Sequence, residues 1–371
     1  MYDPENYIDP NQYYKDLYPS WLSLIDPQGT PGDILEQVIK KFIWYKEPLL
    51  YQITTAYLFM SQKWCKVAPI LFSYGLPGSG KSTLALIASF LHNQTHTFSP
   101  GDTFASVRNA LDSMRWLDKD RGLERDGALL AWDNIDSSTL SRDPRLYQLL
   151  LYGYNRQTDR IMIANQDGSG NKTYHVFCPK ILSSVEALHL NNELGELNRR
   201  MMVIPHQKTE NRLFSLQDYD WGEFPSLYFD FWHNPDNCQI YVSTKKHANN
   251  CCFWDLSESR KHLCLDLVTT HSCIYQLPVK QSIYAIQDYF TFSDAMNKQV
   301  NILEDELREF MTNRFIDLER LKCKALKHSD VRDFLTRLER EGKCEKHEIK
   351  SHKHVLEKLG YRKVSEGWIK I

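Results

Sequence analysis

The chain has 371 residues, of which 42% are hydrophobic and 25% are charged, the composition of an ordinary globular protein with room for two or three domains. It contains no run of 18 apolar residues and begins without a basic-then-apolar signal pattern, so we expect no membrane span and a cytoplasmic location. Nine cysteines without framework spacing favour free thiols in a reducing compartment over a disulfide scaffold.

The net charge of −2 conceals an uneven distribution along the chain. Residues 321–371 hold 14 Lys or Arg against 8 Asp or Glu, an excess of +6 that leaves the remainder at −8. A basic end on an acidic chain predicts a partner-binding segment.

The first predicted elements are two helices. Thr30 is a candidate N-cap, Pro31 suits the first helical position, and Asp33 suits the first turn. A second helix is predicted over residues 48–62. We assign residues 1–66 to an N-terminal helical segment.

A glycine-rich motif follows at residues 75–82, which fit G-x-x-x-x-G-K-[ST] in full. The apolar run 68–74 before it predicts a buried parallel strand, and residues 82–93 carry apolar side chains at helical spacing. A strand, a glycine-rich turn and a helix start place bare backbone N–H groups around an anion, so the motif predicts binding of ATP. The residues expected to contact the nucleotide are Gly75, Leu76, Pro77, Gly78, Ser79, Gly80, Lys81, Ser82 and Thr83.

Two side chains of this motif have predicted chemical roles. Lys81 is expected to reach the β- and γ-phosphates, and the Ser82 hydroxyl to join the shell of a Mg²⁺ ion. Asp133 is the second metal candidate because it ends an apolar strand predicted over 128–133. Asn134 follows where many P-loop ATPases carry a Glu. Either Asp136 replaces that Glu as the group that orients water, or Asn134 positions water without accepting a proton and turnover is slow.

The elements around Asp133 predict an α/β domain over residues 67–208. Strands are expected at 95–98, 160–165, 174–177, 180–185 and 201–204, helices at 102–117 and 144–155, and a surface loop at 119–127. The 160–165 and 174–177 strands are predicted to form a hairpin with its tip at 166–172. This βαβ alternation predicts a parallel sheet flanked by helices. Ser183 and Ser184 could hydrogen-bond a γ-phosphate or the attacking water, or simply be buried. Arg199 and Arg200 could reach a γ-phosphate across a subunit interface or within the same chain, or form a solvated pair.

The C-terminal half gives weaker signals. Residues 209–320 are assigned to a mostly helical connecting region, with helices expected near 221–232 and 293–313. Eight Cys and His residues between Cys238 and Cys273 lack a C-x-x-C pair, which favours free thiols over a metal site.

Residues 321–371 predict a winged helix. Helices at 330–341 and 350–359 precede two short strands, at 361–364 and 368–371. Basic side chains in this segment could contact a DNA backbone; a protein-binding winged helix or a solvated basic face are the alternatives. These side chains are Lys350, Lys353, Lys358, Arg362 and Lys363.

On these motifs, residues 67–205 resemble the AAA+ branch of P-loop ATPases. More narrowly, they resemble helicase-like ATPases of plasmids, phages and mobile elements, related to the superfamily 3 and minichromosome maintenance groups. The order of the phosphate loop, the acidic strand, the hairpin, the 180–185 strand and the 197–201 segment carries the resemblance. It implies a homo-oligomeric ring, with a hexamer among its forms, whose pore hairpin grips single-stranded DNA. Lys172, together with Arg160, would then touch DNA phosphates.

The expected function is therefore that of an ATP-hydrolysing motor acting on DNA, helicase-like and serving replication of a mobile element. A slowly hydrolysing ATP-dependent switch or loader that recruits protein partners is the alternative, favoured by Asn134. A small-molecule kinase is disfavoured by the long C-terminal extension and the lack of an evident Arg-rich lid.

Overall fold

The computed structural model describes residues 18–94, 97–118, 123–124, 128–165, 169–190, 194–209, 213–320, 325–341, 349 and 352–371. The chain is mixed α/β and forms two compact units, Met1–Val185 with Arg199–Gln287, and Glu186–Asn198 with Asp288–Ile371. The helices are α1 Pro31–Phe42, α2 Leu49–Leu58, α3 Lys81–Leu91, α4 Phe104–Arg115, α5 Ser137–Arg142, α6 Pro144–Tyr152, α7 Gly195–Asn198, α8 Ser226–His233, α9 Pro235–Asn249, α10 Glu258–Ile274, α11 Val279–Arg320, α12 His328–Arg340 and α13 His352–Lys358. The strands are β1 Ile70–Gly75, β2 Trp116–Asp118, β3 Leu123–Glu124, β4 Leu130–Trp132, β5 Arg160–Ala164, β6 Asn171–His175, β7 Lys180–Ser184, β8 Met201–His206, β9 Tyr361–Val364 and β10 Gly367–Lys370.

A parallel four-stranded sheet forms the centre of the first unit, with the strand order β4-β7-β1-β8. Strand β1 pairs with β7 from Ile70↔Lys180 to Tyr74↔Ser184, and with β8 from Ile70↔Met201 to Gly75↔His206. Both inner strands are near-continuous buried runs, as expected for a parallel sheet that is covered on both faces. The sheet confirms the predicted α/β class. Because all four strands run the same way, the residues that follow them emerge at one edge.

Helix α1 begins where the sequence predicts. The Thr30 hydroxyl accepts a hydrogen bond from Asp33 N, and the Asp33 carboxylate accepts one from Thr30 N, so each end of this capping box satisfies the other. The buried face of α1 includes Leu35, Val38 and Ile39, and it packs against α2.

Helices α8 to α10 complete the first unit, and a buried carboxylate fastens α9 and α10 to the chain entering β1. Asp266 on α10 is 2% exposed and accepts hydrogen bonds from Lys66 N at 2.9 Å and Val67 N at 3.0 Å. Its second oxygen accepts one from the Tyr241 hydroxyl and pairs with the Lys245 ammonium, both on α9. A buried charge with this many partners holds α9 and α10 in place.

The second unit contains the helix–helix–hairpin order predicted near the C-terminus. Helices α12 and α13 precede the antiparallel pair β9–β10, and Leu326 bonds to Trp368 through both backbone groups, at 2.8 and 2.9 Å. Phe334, Leu338 and Leu356 are among the residues that pack with Trp368 in a common core. The element order agrees with a winged helix, which remains a prediction.

Several predicted boundaries were wrong. The helix predicted over 102–117 ends at Arg115, and strand β2 follows and pairs with β3. The second hairpin strand lies at Asn171–His175 rather than at 174–177. Helix α5 was not predicted, and α11 extends well beyond both ends of the predicted 293–313 helix. Residues 119–122 and 125–127 of the predicted surface loop and residues 166–168 of the predicted hairpin tip lie outside the described part of the chain. No described helix is both long and apolar enough to cross a bilayer.

Candidate functional site

The glycine-rich motif lies between β1 and α3, as predicted. Gly75 is the register partner of His206, and a Cβ added at Gly75 would lie 3.0 Å from the His206 carbonyl carbon and closer still to its oxygen. Gly78 and Gly80 have φ angles of +74° and +94°, in the left-handed region that glycine adopts without steric penalty. These backbone requirements explain why the motif carries glycine at these three positions.

The first turn of α3 faces this loop without a side-chain cap. Its N-cap is Gly80, which makes no side-chain hydrogen bond, so the first N–H groups of the helix have no capping side chain. The Ser79 hydroxyl is buried and has no hydrogen-bond partner among the described residues. An orphaned hydroxyl beside uncapped amides at the positive end of a helix fits an anionic ligand.

Lys81 lies inside the loop. Its ammonium donates a hydrogen bond of 2.8 Å to the Leu76 carbonyl, and the residue is 6% exposed. Burial lowers the pKa of Lys81 below its ordinary value, and the negative charge of Asp133 acts in the opposite direction. The structure therefore brings Lys81 and Asp133 into the same electrostatic neighbourhood, although they are 52 positions apart in the sequence. Ser82 is exposed and Thr83 is half-buried on the first turn of α3.

Asp133 is held at the same edge of the sheet by the end of β7. The Ser183 hydroxyl donates to Asp133 Oδ1 and accepts a hydrogen bond of 3.0 Å from Asn134 N. The Ser183 carbonyl accepts a further bond of 2.8 Å from Ile135 N. Ser183 thus orients the acidic turn; its predicted contact with a γ-phosphate or water remains a prediction, as does that of Ser184, which is buried next along β7.

Asn134 and Asp136, which follow Asp133, have backbone or capping roles that the sequence did not reveal. Asn134 has a φ of +57°, a left-handed conformation in which asparagine is several-fold enriched among non-glycine residues. Asp136 is the N-cap of α5, where its carboxylate accepts hydrogen bonds from Thr139 N and the Ser138 hydroxyl. Burial raises the pKa of Asp136, but these bonds and the Arg142 charge outweigh it, and the pKa lies below the ordinary value. A role for Asp136 in orienting water remains a prediction.

Sequence reasoning missed His206, which lies beneath the loop at the end of β8. Its Nδ1 donates to the Ser79 carbonyl at 3.3 Å, so Nε2 is the acceptor of the 2.8 Å bond from the Ser73 hydroxyl. Burial lowers the pKa of His206 to about 3, and the Lys81 charge acts in the same direction. The imidazole is therefore neutral and ties β8 to the loop. No signal in the sequence shows this, because the pairing of β1 with β8 brings His206 there.

The arginines predicted to complete the site lie at the other edge of the sheet. Arg199 and Arg200 precede β8, whose six residues span about 16 Å, whereas the glycine-rich loop is level with its last residue. The Arg200 carbonyl accepts from Ile70 N at 2.7 Å, and its guanidinium lies 4.6 Å from the centre of the Tyr154 ring. The expectation that either arginine reaches a phosphate within the same chain is therefore wrong. Contact across a subunit interface remains a prediction.

The predicted DNA-contacting residues of the hairpin are exposed. Arg160 and Lys172 lie on β5 and β6, and the Lys172 ammonium lies 4.7 Å from the centre of the Tyr174 ring. The guanidinium of Arg108 lies 3.9 Å from the same ring. Met162, between the two predicted contacts, is 69% exposed. The hairpin thus presents cations and an apolar side chain to solvent.

In the second unit, Lys353 and Lys363 are exposed, on α13 and β9. Lys353 forms an ion pair with Glu357 at 3.7 Å. Lys350 and the side chain of Lys358 lie outside the described part of the chain.

Several side chains of the Cys- and His-rich segment are buried, among them Cys264 and His271, whereas Cys252 is exposed. Burial raises the pKa of the Cys264 thiol to about 12, and the ring of His271 bonds to the Ser282 hydroxyl at 2.9 Å. Among the described residues, no group of three or more His, Cys, Asp or Glu could hold a metal ion.

No family model matches the chain, and no curated protein matches it. Among solved structures, the chain is similar to SCCmec type IV Cch, described as an active helicase, with a TM-score of 0.40 and 13% sequence identity. The match covers 86% of this chain and 66% of that helicase, so the chain spans slightly less than two thirds of its length. A likeness this distant carries no argument about activity, which must rest on the geometry of the site.

Proposed function

We propose that this chain binds ATP with Mg²⁺ at the loop between β1 and α3 and hydrolyses it to act on DNA. The observation that carries the proposal is the loop itself, in which left-handed Gly78 and Gly80 precede an uncapped helix that begins at Lys81. Backbone amides at the positive end of a helix, joined by a lysine, form a site for a chain of phosphates. The buried, unpartnered Ser79 hydroxyl supports the same ligand chemistry.

The residues around the loop fit the roles that hydrolysis requires. Lys81 would bind phosphate oxygens in place of its bond to Leu76, and Ser82 and Asp133 would hold the metal. When bound, Mg²⁺ neutralises charge that develops on phosphate oxygens. Ser183 keeps the Asp133 carboxylate in one orientation, which favours a fixed ligand over a mobile one.

The proposed target is single-stranded DNA, gripped by the hairpin of β5 and β6 in a ring of identical subunits. The exposed Arg160 and Lys172 support this target because nucleic-acid affinity depends chiefly on cations that meet phosphates. Arg199 and Arg200, at the sheet edge remote from their own loop, could complete only the site of a neighbouring subunit. The basic end of the chain would act as a winged helix that delivers DNA, and replication of a mobile element is the proposed setting.

A second candidate, a slowly hydrolysing switch or loader that recruits protein partners, has its own supporting observation. The turn after Asp133 contains Asn134 in a left-handed conformation and Asp136 engaged as a helix cap. Asn134 has no carboxylate, and Oδ1 of Asp136 is committed to capping α5. This arrangement favours slow turnover without weakening the case for nucleotide binding.

Binding is tested first, by titration calorimetry of ATP with Mg²⁺ into the chain and two variants. Lys81→Ala should lower the affinity for ATP at least tenfold, because it removes a charge-assisted phosphate contact of about 1.5–3 kcal/mol. Lys246→Ala removes the same charge from an exposed position on α9 and should leave affinity unchanged. Equal affinities for the native chain and Lys81→Ala would overturn the proposal.

Turnover then separates the two candidates. The motor predicts ATP hydrolysis that single-stranded DNA stimulates and that Lys172→Ala uncouples from DNA. The switch predicts tight ATP binding with slow hydrolysis that DNA does not change. Tight binding without stimulation and without DNA retention at low salt would exclude the motor.

A further inference from the structure

We infer that Lys208 is a second cation of the phosphate-binding site, an inference that rests on the proposed nucleotide binding. Lys208 follows β8, whose last residue, His206, is the register partner of Gly75. The chain therefore leaves the sheet beside the first residue of the loop. Lys208 is two residues beyond this point.

The lysine side chain lies over the middle of the loop. A Cβ added at Gly78 would lie 3.8 Å from Lys208 Cε and 4.0 Å from its ammonium nitrogen. Because Gly78 has no side chain, the Lys208 ammonium faces the Gly78 backbone, which has a left-handed conformation. The lysine is exposed, and no carboxylate among the described residues forms an ion pair with it.

The segment that carries Lys208 is anchored from below. His206 bonds to the Ser79 carbonyl on one side and to the Ser73 hydroxyl on the other, and it is 3% exposed. Because the imidazole is neutral, it fixes the chain without adding charge to the site. Lys208 therefore extends from a fixed point, which reduces the conformational freedom lost when its ammonium meets a ligand.

The loop already contains one cation of its own. Lys81 is buried and its ammonium already contacts the Leu76 carbonyl, so it supplies one internal cation. A nucleoside triphosphate carries several negative charges, and a second cation on the solvent side would bind oxygens that the internal lysine does not reach. An exposed point charge a few ångströms from a phosphate changes affinity by about tenfold at low salt and by less at high salt.

Calorimetric titration of ATP, ADP and AMP into the native chain, Lys208→Ala, Lys208→Arg and Lys246→Ala tests the assignment. Lys208→Ala should weaken ATP and ADP about tenfold at low ionic strength and by a smaller factor at 0.5 M salt. Lys208→Arg should keep most of the affinity because it keeps the charge. Lys246→Ala, which removes a charge from the surface of α9, should match the native chain.

The outcomes separate the two proposals. If the native chain binds ATP and Lys81→Ala abolishes binding, but Lys208→Ala stays within twofold of the native affinity, only the assignment of Lys208 is overturned. If the native chain itself binds no ATP, the proposed function fails and the assignment fails with it. If Lys208→Ala loses more affinity for ATP and ADP than for AMP, the result supports contact between Lys208 and the outer phosphates.

Discussion

Gly75→Ala is the sharpest perturbation of the loop that leaves every charge in place. The added methyl group would lie 3.0 Å from the His206 carbonyl carbon and closer to its oxygen, whereas ordinary van der Waals contact begins at 3.4 Å. The His206 atoms are backbone in paired parallel strands and cannot rotate aside, and the Ser79 hydroxyl lies at 3.0 Å as well. Strand β1 must move away from β8 where the loop begins.

The size of the effect follows from that overlap. Forcing extra volume into a packed interior costs about 1–3 kcal/mol, and the rigid backbone on both sides places Gly75→Ala near the upper end. In a unit of this size, about 3 kcal/mol lowers the melting temperature by roughly 6–12 °C. A shift of about 1 Å in catalytic groups lowers turnover by about 100-fold, so ATPase activity should fall far more than stability.

Thermal unfolding and ATP turnover are measured for Gly75→Ala and for the control variant Gly101→Ala. Gly101 is exposed, and an added Cβ there would meet the Ser99 hydroxyl at 3.7 Å, an ordinary contact, so this control should stay within about 0.5 kcal/mol of the native chain. If Gly75→Ala retains both native stability and native turnover, the close approach of the two strands does not constrain the loop and the reasoning is refuted.

Three further outcomes are expected. Asn134→Gly should match or slightly exceed native stability, and Asn134→Glu should lose about 1 kcal/mol of stability, because the left-handed backbone penalises a glutamate but not a glycine. Denaturant unfolding measures both variants. A large rise in the ATP turnover of Asn134→Glu would favour the slow switch. Burial lowers the pKa of His206 to about 3 from an ordinary value of 6.5, so below pH 6.5 the unfolded chain binds a proton that the folded chain does not, and stability falls with pH. This residue alone should lower the free energy of unfolding by about 2 kcal/mol between pH 8 and pH 5. Unfolding measured as a function of pH should not show this loss in His206→Gln. Asp266→Asn removes the charge that Lys245 pairs with and should cost about 3–5 kcal/mol in denaturant unfolding, against less than 1 kcal/mol for the exposed Asp236→Asn.

Each of these expectations has a contrary result. Equal stability of Asn134→Gly and Asn134→Glu would mean that the backbone at this turn is not left-handed in solution. Parallel pH profiles of the native chain and His206→Gln would mean that the imidazole is not buried. Native stability of Asp266→Asn would mean that this carboxylate does not fasten α9 and α10 to the sheet.

The strand, loop and helix around Lys81 could be predicted because the interactions that form them are local. A glycine-rich turn has to reverse the chain between neighbouring elements, and residues within one turn of α3 supply the amides. The capping box at Thr30 and the helix–helix–hairpin order near the C-terminus were predictable for the same reason. Helices α9 and α10 were not, because their polar and apolar residues do not segregate into a clear stripe along the sequence.

The sequence by itself determined that a glycine-rich loop precedes a helix and that an acidic turn ends a later strand. Tertiary structure alone decided which residues meet them. The parallel pairing of β1 with β8 places His206 beneath the loop and Lys208 above it, and the same pairing places Arg199 and Arg200 at the remote edge. Strand order depends on the packing of side chains far apart in the chain, and no local pattern encodes it.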